Sequence, residues 1–314
     1  MTQFGQFPAP SHVVAHLSDT HFLGEERLLY GAIDTHRNLR RALEQLERSG
    51  VKPAAIVFTG DLTDLSERDA YRSLRQIVEP AAARMGSVVI WVMGNHDERL
   101  RFASDLYDEP TTTSTAPHSQ DRVHDIDGLR IIAFDSTVPG FHHGEVTPEQ
   151  LDWLALELIT PARHGTLLAL HHPPIPTPID LMALLELRGQ ALLAEVIRGT
   201  DVRGILAGHL HYATHSTCAG IPVSVAAATC YTMDLSAPFH ALSGVDGGQS
   251  FNLVQVYDEQ VVHSVVPIGE FSPVSGFSAS FAHRMAELSP ERRLDIFSNK
   301  SSTVTTADVE AGRA

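Results

Sequence analysis

The stretch Ala54-Ala55-Ile56-Val57-Phe58-Thr59-Gly60-Asp61 is a short aliphatic and β-branched run that stops on a glycine and a carboxylate. It reads as a strand buried on both faces, with the acid delivered at its carboxyl end. Four further runs repeat the pattern. Val13 to Ser18 leads into Asp19-Thr20-His21, and Val88 to Met93 leads into Gly94-Asn95-His96-Asp97. Thr166 to Leu170 precedes His171-His172, and Arg203 to Ala207 precedes Gly208-His209-Leu210-His211. In open α/β sheets the carboxyl ends of strands collect ligands and catalytic groups, because loops there vary freely on a rigid support.

The residues at these tips are of types that bind metal ions. Asp19 and His21 are one residue apart, so an extended chain points both side chains the same way and lets them share an ion. Asp61 suits a bridging role, since each carboxylate oxygen can take a different ion. Asn95 supplies only a neutral carbonyl oxygen, a weaker ligand. With His171, His209 and His211, seven donors are available for two adjacent ions. One fragment alone would be weak evidence; five in fixed order, each after a strand, make a strong case.

These motifs resemble those of the binuclear metallophosphoesterases, whose pattern is D-x-H, G-D, G-N-H-[DE], H and G-H-x-H. Within that family the chain is most similar to the bacterial class III cyclic-nucleotide phosphodiesterases of the cyclic-AMP type. The likeness runs through Ile56 to Asp61, Trp91 to Asp97, Leu170 to Pro176 and Ile205 to Tyr212, and spans roughly residues 13 to 267. It implies an α/β fold built as a four-layer α/β/β/α sandwich, two mixed sheets flanked by helices. It assigns Asp19, His21, Asp61 and His211 to one metal and Asp61, Asn95, His171 and His209 to the other. Iron with manganese is the expected pair, and zinc or cobalt also suits mixed oxygen and nitrogen donors.

The implied reaction is hydrolysis of 3′,5′-cyclic AMP to 5′-AMP by a metal-bridging hydroxide. His96 belongs to neither metal set and is free to face the leaving group as general acid, with Asp97 as the candidate that orients it. Asn95, His96 and His211 are also expected to touch substrate. His142 and His143 lie in a loop that can overhang the site, although solvated loop histidines are common. His172 reads equally well as a packed residue or a functional one. Other small phosphodiesters, such as 2′,3′-cyclic nucleotides or glycerophosphodiesters, would use the same metals. A non-catalytic scaffold of this fold is the alternative of another class; it should lack the acid or a ligand, and here every position is filled.

Composition narrows the partners. The formal net charge is −15 over 314 residues, which argues against a nucleic-acid partner that needs clustered Lys and Arg. An anionic substrate must then be attracted locally, and metal ions are the natural source. The two cysteines, Cys218 and Cys230, form no CxxC pair and suit a reducing compartment. No segment has the makings of a signal peptide or of a membrane span of about 20 apolar residues, so a cytoplasmic protein is expected, as a homodimer by resemblance.

Residues 1–267 read as one domain and 268–314 as an extension whose end, 299–314, looks disordered. Asp34 to Arg48 carries the periodicity of a helix, Ser66-Glu67-Arg68-Asp69 and Thr147-Pro148-Glu149-Gln150 read as capping boxes, and Asp180 to Arg198 reads as one more helical region. Trp153, Leu154 and Leu158 form a stripe most simply read as core. Strand-like segments after Val223, with Asp258-Glu259 as a turn, suggest a second, partly antiparallel sheet. The segments 110–120 and 236–250 read as loops.

Overall fold

The computed structural model describes residues 3–110 and 118–313, so most of the 110–120 loop lies outside the described residues. These residues divide into two compact units, Pro10–Gly269 and a smaller one made of residues 3–9 and 270–313.

In the larger unit the strands are β1 (His12–Leu17), β2 (Ala55–Thr59), β3 (Val88–Val92), β4 (Arg122–Ile126), β5 (Leu129–Phe134), β6 (Gly144–Glu145), β7 (Thr166–Leu170) and β8 (Leu187–Arg188). They continue as β9 (Val202–Ala207), β10 (Thr214–Cys218), β11 (Ile221–Val225), β12 (Thr232–Met233), β13 (Gly244–Val245), β14 (Ser250–Val256) and β15 (Val261–Pro267). The helices are α1 (Thr35–Arg48), α2 (Arg68–Met85), α3 (Arg99–Leu106), α4 (Pro148–Glu157), α5 (Asp180–Ala183) and α6 (Gln190–Ile197).

One sheet runs β15-β14-β1-β2-β3 and the other β10-β11-β9-β7-β5-β4. Both are mixed. β1, β2 and β3 are parallel and the β14–β15 hairpin joins β1 antiparallel. In the second sheet β5, β7, β9 and β11 are parallel, with antiparallel β4 and β10 at its edges. The five donor-bearing strands are therefore split, three in one sheet and two in the other. The late hairpin, expected in a second sheet, completes the first one instead. Its tight turn at Asp258-Glu259 forms as expected, with Tyr257 N–H donating to the Gln260 carbonyl at 2.9 Å.

Alternation along each strand builds the layers. Val14, Ala55, Val57, Ile90 and Val92 face Ile131, Ala133, Leu167, Ala169 and Leu206 between the sheets. Their neighbours Ala15, Leu17, Ile56, Phe58 and Trp91 turn outward under α1, α2 and α3. On the other side Ile132, Phe134, Leu168, Leu170 and Ile205 lie under α4 and α6 with Leu154 and Leu158, and Trp153 packs on that cluster. The result is the four-layer α/β/β/α sandwich.

Two local readings change. Ser66 does not cap α2: its backbone is left-handed (φ 53°) and its hydroxyl donates to the His96 carbonyl at 2.7 Å. Glu67 and Asp69 instead accept from the Gly24 and Glu25 amides, so tertiary partners outcompete the local cap. The Thr147–Gln150 capping box does form. The 180–198 segment is broken into α5 and α6 by β8, which pairs with β6, and by Gly189 at φ 79°.

In the smaller unit α7 (Ala279–Glu287), α8 (Pro290–Phe297) and α9 (Thr306–Glu310) gather Phe281, Met285, Ile296 and Val309. The 299–314 stretch, expected to be disordered, holds α9, because Thr305 and Asp308 close a capping box and Val309 is buried. Residues 3–9, read as part of the large domain, fall with this unit.

Leu206 is fully buried between the sheets. Leu206→Ala is expected to lower stability by roughly 2 to 5 kcal/mol in urea unfolding; a loss under about 1 kcal/mol would contradict its place in a close-packed inter-sheet core.

Candidate metal centre

The five strand tips converge at one end of the two sheets. Asp19, His21, Asp61, His209 and His211 all hold left-handed backbone, with φ of 53°, 43°, 47°, 68° and 59°. Asp and His tolerate this region better than most residues, yet it costs on the order of 1 kcal/mol each. Such clustering marks a functional site. It also revises the extended geometry expected for Asp19-Thr20-His21: the chain after β1, β2 and β9 breaks at its donors and turns their side chains into a common centre.

Backbone bonds hold these turns. Asp19 N–H donates to Gly60, His21 N–H to Asp61, Gly208 N–H to His171 and Thr229 N–H to Ser18. His209 N–H donates to both Asp19 carboxylate oxygens at 3.1 and 3.2 Å, and His171 Nδ1 donates to the Thr59 carbonyl at 2.7 Å. Both contacts cross from one sheet to the other. There is no room for a side chain where the tips meet: a Cβ at Gly208 would lie 1.9 Å from Ser18 Oγ across the two sheets, and one at Gly94 would lie 2.0 Å from the Asp61 nitrogen on the neighbouring tip of its own sheet.

All seven expected donors are brought together. His171 Nε2 lies 3.3 Å from Asp61 Oδ2 and 3.1 Å from Asn95 Oδ1. His21 Nε2 lies 3.5 Å from the same Asp61 oxygen, His211 Nε2 lies 3.3 Å from Asp19 Oδ1, and His21 and His211 meet at 3.2 Å through their Nε2 atoms. Asp19, His21, Asp61 and His211 converge as one group, while His171 and His209 converge beside it. His209 Nε2 is buried with no hydrogen-bond partner.

The proton positions decide what this centre wants. The carbonyls of Thr59 and Tyr231 can only accept, so His171 and His211 must carry hydrogen on Nδ1 (2.7 and 3.2 Å). His21 Nδ1 likewise donates to Asp64 at 3.0 Å. In the neutral ring each Nε2 would therefore turn a lone pair toward a carboxylate oxygen. Only a positive charge between them relieves that repulsion, either a proton on each ring or a shared cation, and ligating histidines are held in this way from behind. Asp61, with one oxygen near both His21 and His171, stands where a bridging ligand would. The residues fit a pair of metal ions.

The electrostatics agree. Burial disfavours charge on His171, but Asp61 outweighs it and holds that ring up to about 9; His211 is raised well above the usual histidine range against burial, by Cys230 and Asp19. Asp61 is held well below the carboxylate range despite burial, by His171 and His96. His209 is pushed well down by burial and by His172 and His171, so its ring stays neutral and able to ligate.

His96 sits at the rim, half-buried, its ring 4.8 Å from that of His21. Its Nδ1 donates to the Asp64 carbonyl at 2.9 Å and lies 3.6 Å from the Asp64 carboxylate. Burial works against its charged form, but Asp61 and Asp64 raise it overall. Asp97, expected to orient His96, points the other way. It accepts from the Gly94, Leu62 and Thr63 amides and from the Tyr71 hydroxyl at 2.8 Å, bracing the loop from beneath. Burial and Asp61 push its carboxyl up to about 6. The residue that supports His96 is Asp64, which the sequence reading missed. The available signal was its position three residues after Asp61 in the same tip.

Of the loop histidines, His142 reaches the site: its Nδ1 is 3.0 Å from Asn95 Nδ2 and its ring 5.0 Å from that of His96. His143 packs instead on Phe141, 5.3 Å between ring centroids. His172 is fully buried and held down to about 3 by burial and by His171.

Residues 12–213 match the calcineurin-like phosphoesterase family. The chain belongs to that family. It is 53% identical, over 96% of both chains, to a cAMP/cGMP dual specificity phosphodiesterase of Mycobacterium tuberculosis. It is 29% identical to a glycerophosphodiester phosphodiesterase of Enterobacter lignolyticus, over 68% of this chain and 77% of that one. A dimetal phosphatase from Danio rerio shares the fold with a TM-score of 0.58 at 17% identity, over 83% of this chain and 98% of that one.

Because His171 is held protonated up to about pH 9 without metal, a bound ion must displace its proton. Loading at pH 7 should release protons, and apparent affinity should rise with pH toward about 9. Calorimetry in buffers of different ionisation enthalpy reads this; proton-neutral binding would contradict the ligand assignment.

Proposed function

We propose that the chain hydrolyses 3′,5′-cyclic AMP to 5′-AMP, with Asp19, His21, Asp61 and His211 holding one metal ion and Asp61, Asn95, His171 and His209 the other. The observation that carries this reading is the convergence of histidine Nε2 atoms and carboxylate oxygens beside a supported, rim-placed imidazole. Full-length similarity to a cAMP/cGMP phosphodiesterase supports a cyclic nucleotide as substrate, with other small phosphodiesters as the alternative. When bound, two such ions supply Lewis acidity at the phosphoryl group and acidify water.

The protein's own groups do the rest. Asn95 and His211 face the phosphoryl position as substrate contacts. His96 keeps Nδ1 on the Asp64 carbonyl and presents Nε2–H to the departing 3′ oxygen. As water adds to phosphorus it gives up one proton to solvent, the P–O3′ bond breaks, and the His96 proton passes to O3′ and leaves a 3′-hydroxyl. His142 is the proposed contact on the leaving-group side. Iron with manganese is our reading of the metal pair, supported by the motif resemblance. The net charge of −15 supports a small anionic substrate rather than a nucleic acid. We read the protein as a cytoplasmic homodimer; two free, buried cysteines support the reducing compartment, and among the described residues no helix is long and apolar enough to cross a membrane.

His96→Ala should keep both metals while kcat falls by about 10² to 10⁴; undiminished activity removes the general-acid role. Asp61→Ala should lose metal and activity together. In Asp64→Asn the alkaline limb of the pH profile should move to lower pH, because the carboxylate no longer favours the charged His96; an unmoved limb would sink the Asp64 assignment. Parallel rates on 3′,5′-cyclic AMP, 2′,3′-cyclic AMP and a glycerophosphodiester decide the substrate, and a preference for either of the latter two overturns the first reading.

A further inference from the structure

Resting on the reading that Asn95 ligates a metal, we propose that His142 is a positioning residue that holds the Asn95 amide with its oxygen toward the ion, and that Ser136 and His172 anchor His142. An asparagine amide is nearly symmetric in shape, but only its oxygen can ligate. Asn95 Nδ2 can only donate, so the 3.0 Å contact makes His142 Nδ1 the acceptor and leaves Asn95 Oδ1 facing His171 Nε2 at 3.1 Å. Rotating the amide by half a turn would turn NH₂ toward the ion and would oblige His142 to move its ring hydrogen onto Nδ1 to keep the contact.

His142 is exposed, so something must keep its ring in place. The base of its turn is built rigidly. His172 Nε2 donates to the His142 carbonyl at 3.1 Å, while His172 Nδ1 lies 2.8 Å from Ser136 Oγ, which also accepts the His172 amide at 3.2 Å. Gly144 lies against the His172 ring so closely that a Cβ there would meet Cγ at 2.5 Å. Glu145 N–H donates to the Ser136 carbonyl at 3.0 Å, closing the turn on the same residue. A continuous path thus runs from the residue after the ligand His171, through the turn, to the ligand Asn95.

The test is retention of metal by the full-length, manganese-loaded enzyme under graded chelator, with ions counted per chain and kcat and KM for 3′,5′-cyclic AMP measured alongside. His142→Ala should release one of the two ions at roughly 10- to 100-fold lower chelator, with the loss in kcat rather than KM. His142→Asn, whose carbonyl can accept from Asn95, should restore much of the retention. Ser136→Ala and His172→Phe should weaken the same ion, and His142→Ala should add nothing in an Asn95→Ala background. Wild-type retention in His142→Ala, or an effect that persists undiminished with Asn95→Ala, overturns the proposal. A wild-type enzyme that keeps two ions but spares cyclic AMP defeats the substrate reading alone, since the retention series still decides the role of His142.

Discussion

Imidazole Nε2 atoms set against buried carboxylate oxygens, a pairing that only a positive charge between them can settle, are the constraint on which this structure turns. Once Thr59, Tyr231 and Asp64 have claimed the Nδ1 hydrogens of His171, His211 and His21, the Nε2 atoms can only look at carboxylate oxygens 3.3 to 3.5 Å away. An arrangement of that kind is held in place by the rest of the protein and completed by a cation. The surrounding fold shows the same cost in another form, with five donor residues in left-handed backbone. Left-handed backbone at these donors, and a buried ring nitrogen left open at His209, are what a site looks like when its geometry serves chemistry rather than stability.

The two-sheet architecture explains how donors from residue 19 to residue 211 meet. Neither sheet carries the whole set, and the contacts that join them are polar: the His209 amide to Asp19 and the His171 ring to the Thr59 carbonyl. The apolar layer between the sheets sets their separation, and these crossings fix the register at the mouth. Small residues at Gly94 and Gly208 are required because one strand tip passes within contact distance of another.

Much of this was legible in the sequence because buried strands have a local signature and metal donors have recognisable residue types. The seven candidate donors singled out from those signals and from the family pattern do lie together in the structure. What escaped depends on partners distant in sequence. The division of the five strands between two sheets is a matter of pairing, to which periodicity is blind. Asp97 follows His96 in the chain but is claimed by amides on the β2 tip, whereas Asp64, in an unpatterned loop, reaches both His21 and His96. Ser66 had the local marks of a helix cap and gave its hydroxyl to the His96 carbonyl instead. In each case a tertiary hydrogen bond overrode a local preference.

The most direct measurement is an anomalous difference map from crystals of the manganese-loaded protein. The account predicts two peaks about 3.5 to 4 Å apart, with Asp61 between them and Asn95, His171 and His209 around one. A single peak, or density away from these donors, would contradict it.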